Sequence, residues 1–132
     1  MTREKYVPVR DVMTTNIEMI DGLTTVADAL DKMRAKQISS LIIKRRDEFD
    51  EYGVLTVQDI AQEVLVADLA PERVNAYEIM KKPMVTVDAN MNIRYTIRLL
   101  SRFSLSRVLV VENGEAIGLV TLRDLVLRFS GF

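Results

Sequence analysis

A chain of 132 residues, 48% of them apolar, with 18 basic and 19 acidic side chains and a formal net charge of -1, holds enough material for one compact domain or two small units sharing a core. It contains no cysteine and no histidine, which excludes disulfides, thiolate and imidazole metal ligands and the commonest general base. The balanced charge gives no footprint for a nucleic-acid backbone, no apolar run approaches the roughly 20 residues of a membrane span, and "MTREKYVPVRD" is too polar for a signal peptide. The expectation is a cytoplasmic protein with neither nucleic acid nor membrane as partner.

In chain order, "RDVMTTNIEMID" (10 to 21) carries an extended stretch at Ile17 to Ile20 that ends in an Asp-containing turn. A one-sided helix follows, with Val26, Ala29, Leu30 and Met33 on its apolar face. "SLIIK" (40 to 44) reads as a buried strand, "RRDEFDEY" as a polar turn, and "GVLTVQDI" (53 to 60) as a strand running into a helix over 57 to 66. "DLAPERVNAY" is a linker in which Pro71 suits a helix start.

The same grammar then returns. "YEIMKKPMVTVD" (77 to 88) lies over 10 to 21 at an offset of 67, pairing Met80 with Met13 and Asp88 with Asp21. Its strand, Met84 to Val87, precedes a helix with Ile93, Ile97 and Leu100 on one stripe. "RVLVVE" (107 to 112) leads through the Asn-Gly turn of "ENGE" into "GLVTLRDL" (118 to 125) and a helix over 122 to 129. The offset falls to 65 at Gly53, Thr56 and Asp59, which meet Gly118, Thr121 and Asp124; the two extra residues of the first copy sit in its polar turn. The fold class is α/β (α+β), β-α-β-β-α twice: a first repeat over 9–67, a linker over 68–76 and a second repeat over 77–130. Each three-stranded sheet would leave a face bare, so the copies are expected to cover one another about a pseudo-twofold axis, with a cleft at the seam.

Thr56 with Asp59, and Thr121 with Asp124, fit a Thr-x-x-acid helix cap. Capping alone would account for them, and Gly53 and Gly118 would mark close approach or bulging of strands. The same atoms suit a ligand: the hydroxyl for a phosphate oxygen, the carboxylate for a ribose diol, and glycine for close approach of backbone to sugar.

The doubled pattern, with "VM" before the first strand and G-h-h-T-x-x-D before each last helix (h, apolar), resembles a tandem cystathionine β-synthase (CBS) domain pair, or Bateman module, from about Val9 to Phe129. The resemblance implies a regulatory sensor that binds AMP, ADP, ATP or S-adenosylmethionine between the repeats. It places Asp59 and Asp124 on ribose, Thr56 and Thr121 on phosphate, and the backbone of Ile17 to Met19 and Met84 to Thr86 on the adenine edge. It also puts a phosphate-reaching basic residue at the start of the middle strand. Arg107 stands there in the second copy and Ser40 in the first, so the two sites should differ; a solvated strand-end charge is the other reading of Arg107. "KRR" (44 to 46) faces "DEFDE" as a solvated hairpin edge, with help to a phosphate as the alternative.

No cofactor is implied beyond the regulatory nucleotide; with a triphosphate, binding with magnesium and binding without it are both open. Neither a Walker loop, a dinucleotide fingerprint nor a base-and-nucleophile pair is present, so no enzyme is expected. The helix "NIRYTIRLLSRF" adds Tyr95, Leu99 and Phe103 as a second apolar stripe, too wide for one core contact, so either the final helix covers it within the chain or another subunit does. With the family's habit of pairing, this implies a homodimer through the second-repeat helices, and an unknown effector protein that reads the signal. The competing reading is a ligand-free dimerisation scaffold in which Thr and Asp only cap helices.

Overall fold

Which sheet each stretch joins follows from its backbone hydrogen bonds, and these divide the chain. The computed structural model describes residues 5–129, in two units: one of residues 18–84, the other of 5–17 together with 85–129.

In the unit 18–84, β1 (Met19–Ile20) pairs parallel with β2 (Ser40–Ile43), and β2 antiparallel with β3 (Gly53–Thr56). The first strand is shorter than expected because Ile17 N–H turns back to the Thr15 carbonyl, and pairing starts only at Met19 opposite Ile42. Helix α1 (Val26–Lys36) is capped by Thr25, whose side chain accepts from Asp28 N–H, and stops at Gln37 in the left-handed region (φ 55°). Its Val26, Ala29 and Met33 meet Leu41, Ile43 and Leu55 of the sheet in one buried cluster. Val26, Met33, Leu41, Ile43 and Leu55 each contribute about 1.5–3 kcal/mol by leaving water. Helix α2 (Val57–Ile60) continues into a π-helical turn, Ala61–Leu65, in which Val66 N–H reaches back to the Ala61 carbonyl at 2.8 Å. Pro71 occupies the first position of a 3-10 turn, Pro71–Arg73, as its fixed φ favours. Helix α3 (Ala76–Ile79) follows, closed by a capping box between Asn75 and Glu78.

The other unit repeats the plan with β4 (Thr86–Asp88), α4 (Ile93–Arg102), β5 (Arg107–Glu112), β6 (Glu115–Thr121) and α5 (Leu122–Arg128), in sheet order β4-β5-β6. Asn113 and Gly114, at φ 52° and 79°, make the tight turn between β5 and β6. The core gathers Val87, Ile93, Leu100, Val108, Val110, Val120 and Leu125.

The stretch ahead of each first strand is an arm, and it does not serve the sheet that follows it in sequence. Residues 5–17 hold to 85–129: Val9 N–H bonds the Met91 carbonyl (2.8 Å), Ile93 N–H that of Val7 (2.9 Å), and Thr14 exchanges two 2.9 Å bonds with Leu119 on the edge of β6. The arm at 74–81 repeats each contact at the equivalent residues. Ala76 N–H bonds the Thr24 carbonyl (2.7 Å), Val26 N–H that of Val74 (2.8 Å), and Lys81 exchanges two 2.9 Å bonds with Val54 on the edge of β3. Each arm lays a methionine on a strand glycine. A Cβ at Gly53 would lie 2.7 Å from Met80 Sδ; one at Gly118 would overlap the Met13 side chain and stand 3.0 Å from the Thr14 carbonyl oxygen.

The hairpin loop at 44–52 is tied to its arm through Asp50, which accepts from Arg46 N–H (2.9 Å), Arg46 Nε (3.1 Å) and Lys82 Nζ (2.5 Å). Hydrogen bonding by Lys82 first, then by the Arg46 backbone and side chain, holds this carboxyl far below the usual carboxylate range.

Gly118→Ala should cost about 1–3 kcal/mol in urea unfolding, as overpacking does. Gly53→Ala should cost less, because the closest obstacle there is the flexible end of Met80, and Met13→Ala should recover part of the Gly118→Ala loss. Asp50 has a depressed folded pKa, so its contribution is complete above the unfolded value of about 3.9 and is lost as the pH falls through the folded value. Asp50→Asn should therefore lower the urea midpoint at pH 7, and its gap to wild type should narrow steadily below about pH 3.9.

Candidate functional site

A strand that ends on threonine and turns into a helix must satisfy the first free N–H groups of that helix. Both junctions do so alike at first. Val57 N–H bonds the Ser39 carbonyl (3.0 Å) and Leu122 N–H that of Ser106 (2.9 Å). Asp59 N–H and Asp124 N–H each donate to the hydroxyl of the preceding threonine at 3.1 Å. The antiparallel register brings the start of the middle strand to the same end, Ser40 opposite Thr56 and Arg107 opposite Thr121. Ser40, Thr56 and Asp59 thus share one end of their sheet, and Arg107, Thr121 and Asp124 the same end of the other; Met19 and Thr86 pair two residues further along the middle strands, with Ile42 and Leu109.

Beyond that the junctions diverge. In the first, Thr56 N–H and Thr56 Oγ1 both donate to Asp59 Oδ2, at 3.2 and 2.9 Å, closing a capping box. Lys81 Nζ lies 3.3 Å from the other carboxylate oxygen, and Asp59 is only 7% exposed. The carboxylate is consumed by its own helix start and by the arm. In the second, Asp124 is exposed and its carboxylate returns no bond to Thr121 among the described residues. The arms differ at the matching position: Thr14 stands where the other arm has Lys81. Arg107, half-buried, supplies the cation instead, with Nε donating to Ser106 Oγ at 3.3 Å.

The remaining expected ligand residues are placed as follows. Gly53 and Gly118 are not at these junctions; each lies three residues upstream, about 10 Å along its strand, beneath an arm methionine. Packing therefore accounts for both. The Met19 carbonyl accepts from Lys32 Nζ at 3.3 Å. Ile17 lies in the arm that belongs with 85–129, and buried Met84, whose N–H bonds the Tyr52 carbonyl at 2.7 Å, belongs with 18–84. Thr86 is exposed and sits opposite Leu109 in the sheet. On α4, Tyr95 and Phe103 are 53% and 62% exposed, whereas Leu99 packs partly into its own core, so the outward stripe is narrower than the sequence spacing implies. Sequence reasoning missed Lys81, which lies 22 positions from Asp59 with no pattern joining them.

Thr56→Ala should cost about 0.5–2 kcal/mol as a lost cap. Asp59→Ala should cost about 1–3 kcal/mol through its several charge-assisted bonds, while Asp124→Ala should stay within about 0.5 kcal/mol. Thermal unfolding of the three variants without ligand checks this order.

The CBS domain family model matches residues 9–66 and 76–131. An uncharacterised protein of Methanopyrus kandleri is 29% identical over 118 residues, covering 89% of this chain and 57% of its own length. The chain spans 64% of a similar uncharacterised protein of Methanocaldococcus jannaschii. Hypoxic response protein 1 of Mycobacterium tuberculosis is 29% identical over 116 residues, covering 88% of this chain and 80% of its own. Among solved structures, a hexameric CBS-CP12 protein from bloom-forming cyanobacteria superposes with a TM-score of 0.87 at 32% identity, over 93% of this chain and 68% of that one. Hypoxic Response Protein I, solved with two coordinated zinc ions, gives 0.79 at 27%, over 94% and 100%. Among the described residues here, no group of three or more Asp or Glu is placed to hold a metal ion, and no helix is long and apolar enough to cross a membrane. Matched once over each repeat and superposing on CBS structures over most of its length, the chain belongs to the CBS domain family, whose tandem modules are generally regulatory ligand-binding units.

Proposed function

We propose that this chain is a regulatory module whose second-repeat junction takes an adenosine compound, AMP, ADP, ATP or S-adenosylmethionine, and that a separate effector protein reads the occupied state. The observation that carries this reading is the difference between the two carboxylates: Asp59 is spent on Thr56 and Lys81, while Asp124 is exposed on a helix start capped by Thr121, the residue that Arg107 faces across the strand pair. A ribose diol donates two hydrogen bonds to Asp124, each worth about 1.5–3 kcal/mol as a bond to a charged group. Arg107 grips a phosphate with parallel N–H bonds. The Thr121 hydroxyl accepts from Asp124 N–H and keeps its proton for a phosphate oxygen. At the first junction a ligand has to displace both the Thr56 hydroxyl and Lys81 before it reaches Asp59, so that site is the weaker. Magnesium accompanies the ligand if it is a triphosphate. The role is regulatory and not catalytic, and turnover of ATP by the purified chain would contradict it.

Calorimetric titration with AMP, ADP, ATP and S-adenosylmethionine tests the reading. Heat should appear with at least one ligand, survive Asp59→Ala and vanish with Asp124→Ala. Two equal, independent sites would contradict the ranking, and silence from every ligand would favour the scaffold reading, in which both aspartates serve only the helix starts.

The exposed Tyr95 and Phe103 of α4 support self-association, as does the hexameric assembly of the cyanobacterial relative. We propose a homodimer through this face. Light scattering at micromolar concentration should give twice the 15.0 kDa chain mass, and Tyr95→Glu with Phe103→Glu should return the monomer; a monomeric wild type would contradict the proposal.

A further inference from the structure

We propose that a cleft of about 500 Å³ between the 44–52 loop and the arm is a separate site for a small organic anion, a phosphate-type group carried on a flat apolar body. The cleft lies at the end of the β1-β2-β3 sheet away from Thr56 and Asp59: its lining includes Ile43 and Lys44, at the tail of β2, where Ser40 is the head. The inference does not depend on the nucleotide reading.

Three cations line it: Lys44, Arg46 and Lys82. Arg46 and Lys82 are held in place by their shared hold on Asp50, so little side-chain entropy remains to be lost when an anion arrives. Lys44 is anchored only by its backbone N–H on the Ile20 carbonyl at 3.0 Å; its ammonium is exposed and has no ion-pair partner among the described residues. Asp21, the acidic residue of the lining, turns Oδ1 back to accept from Leu23 N–H at 2.8 Å. Asp50 is taken up by Arg46 and Lys82, and Asp47 also acts on Arg46, so Lys44 is the lining cation with no ion pair among the described residues. The rest of the wall is apolar: Leu23 and Tyr77, both substantially exposed, with Met80 behind them. An apolar wall of Leu23, Tyr77, Ile43 and Met80 suits a flat apolar body.

The other unit shows what makes the cleft. There the hairpin is cut to Asn113 and Gly114, and the residue equivalent to Tyr77 is Arg10. Arg10 spans the corresponding space, donating to Asn90 Oδ1 at 3.1 and 3.3 Å and pairing with Glu112. The longer loop of the first repeat and the change from arginine to tyrosine are therefore the two features that open the cleft and charge it.

The test is a titration of the isotope-labelled full chain, followed through its backbone amide resonances. Phenyl phosphate is the probe, with phenol and inorganic phosphate run in parallel. The amides of Gly22, Leu23, Lys44 and Tyr77 should move together and saturate, with phenyl phosphate binding at least about tenfold more tightly than either fragment. Lys44→Glu should weaken binding by about tenfold or more. Leu23→Trp, at an exposed position, should block it while the rest of the spectrum stays unchanged, and Asp124→Ala should leave it intact. Shifts gathered at Thr121 and Asp124, equal binding of phenol, a response that does not saturate, or no effect of Lys44→Glu would overturn the proposal.

Discussion

A methionine side chain seated on a strand glycine, with a pair of backbone hydrogen bonds beside it, is the contact on which the rest of this architecture depends. It occurs twice, Met80 on Gly53 and Met13 on Gly118. Each time it fastens an arm along the last strand of a sheet, where a row of unpaired backbone groups would otherwise invite association with another chain. Because the seat needs a residue without a Cβ, and the neighbouring backbone bonds need the arm in one register, glycine and methionine recur together at fixed spacing. The fastening also decides which residues reach the helix starts.

The arm contributes one part of the asymmetry between the two junctions. One residue past the seated methionine stands Lys81 in one arm and Thr14 in the other. The lysine neutralises Asp59 and helps lock it into the helix cap; the threonine leaves Asp124 exposed. The cation is then provided from another direction, by Arg107 at the head of β5, where the first repeat has Ser40. One junction is thus satisfied by its own chain and the other keeps a cation, a hydroxyl and a carboxylate together at an accessible edge. The two copies of a duplicated fold thus carry unlike junctions, with sequence differences at two positions, Lys81 against Thr14 and Ser40 against Arg107.

Much of the fold was legible because local chemistry and tertiary structure agree. β5 is the run from Arg107 to Glu112 that its apolar character marks, and the Thr-x-x-Asp pattern caps both last helices. The Asn-Gly turn falls where positive φ is needed. The exchange of arms was not legible, because the two arms are alike in sequence and their attachment is made by backbone groups that carry no residue signal. For the same reason the glycines read equally well as ligand contacts; the methionines aligned at an offset of 67 were the available clue. Asn75 and Glu78 already carried the pattern of a capping box ahead of the second "VM"-like element, a sign that a helical turn begins there. The pairing of Lys81 with Asp59 had no such sign, since it depends on where the arm lands.

Whether the second junction receives the nucleotide is tested by a crystal structure of the chain grown with AMP. Density for the ribose on Asp124 and for the phosphate between Arg107 and Thr121, with the Thr56–Asp59–Lys81 contacts intact, is the expected result. Nucleotide seated on Asp59 with Lys81 displaced, and the Asp124 junction empty, would contradict it.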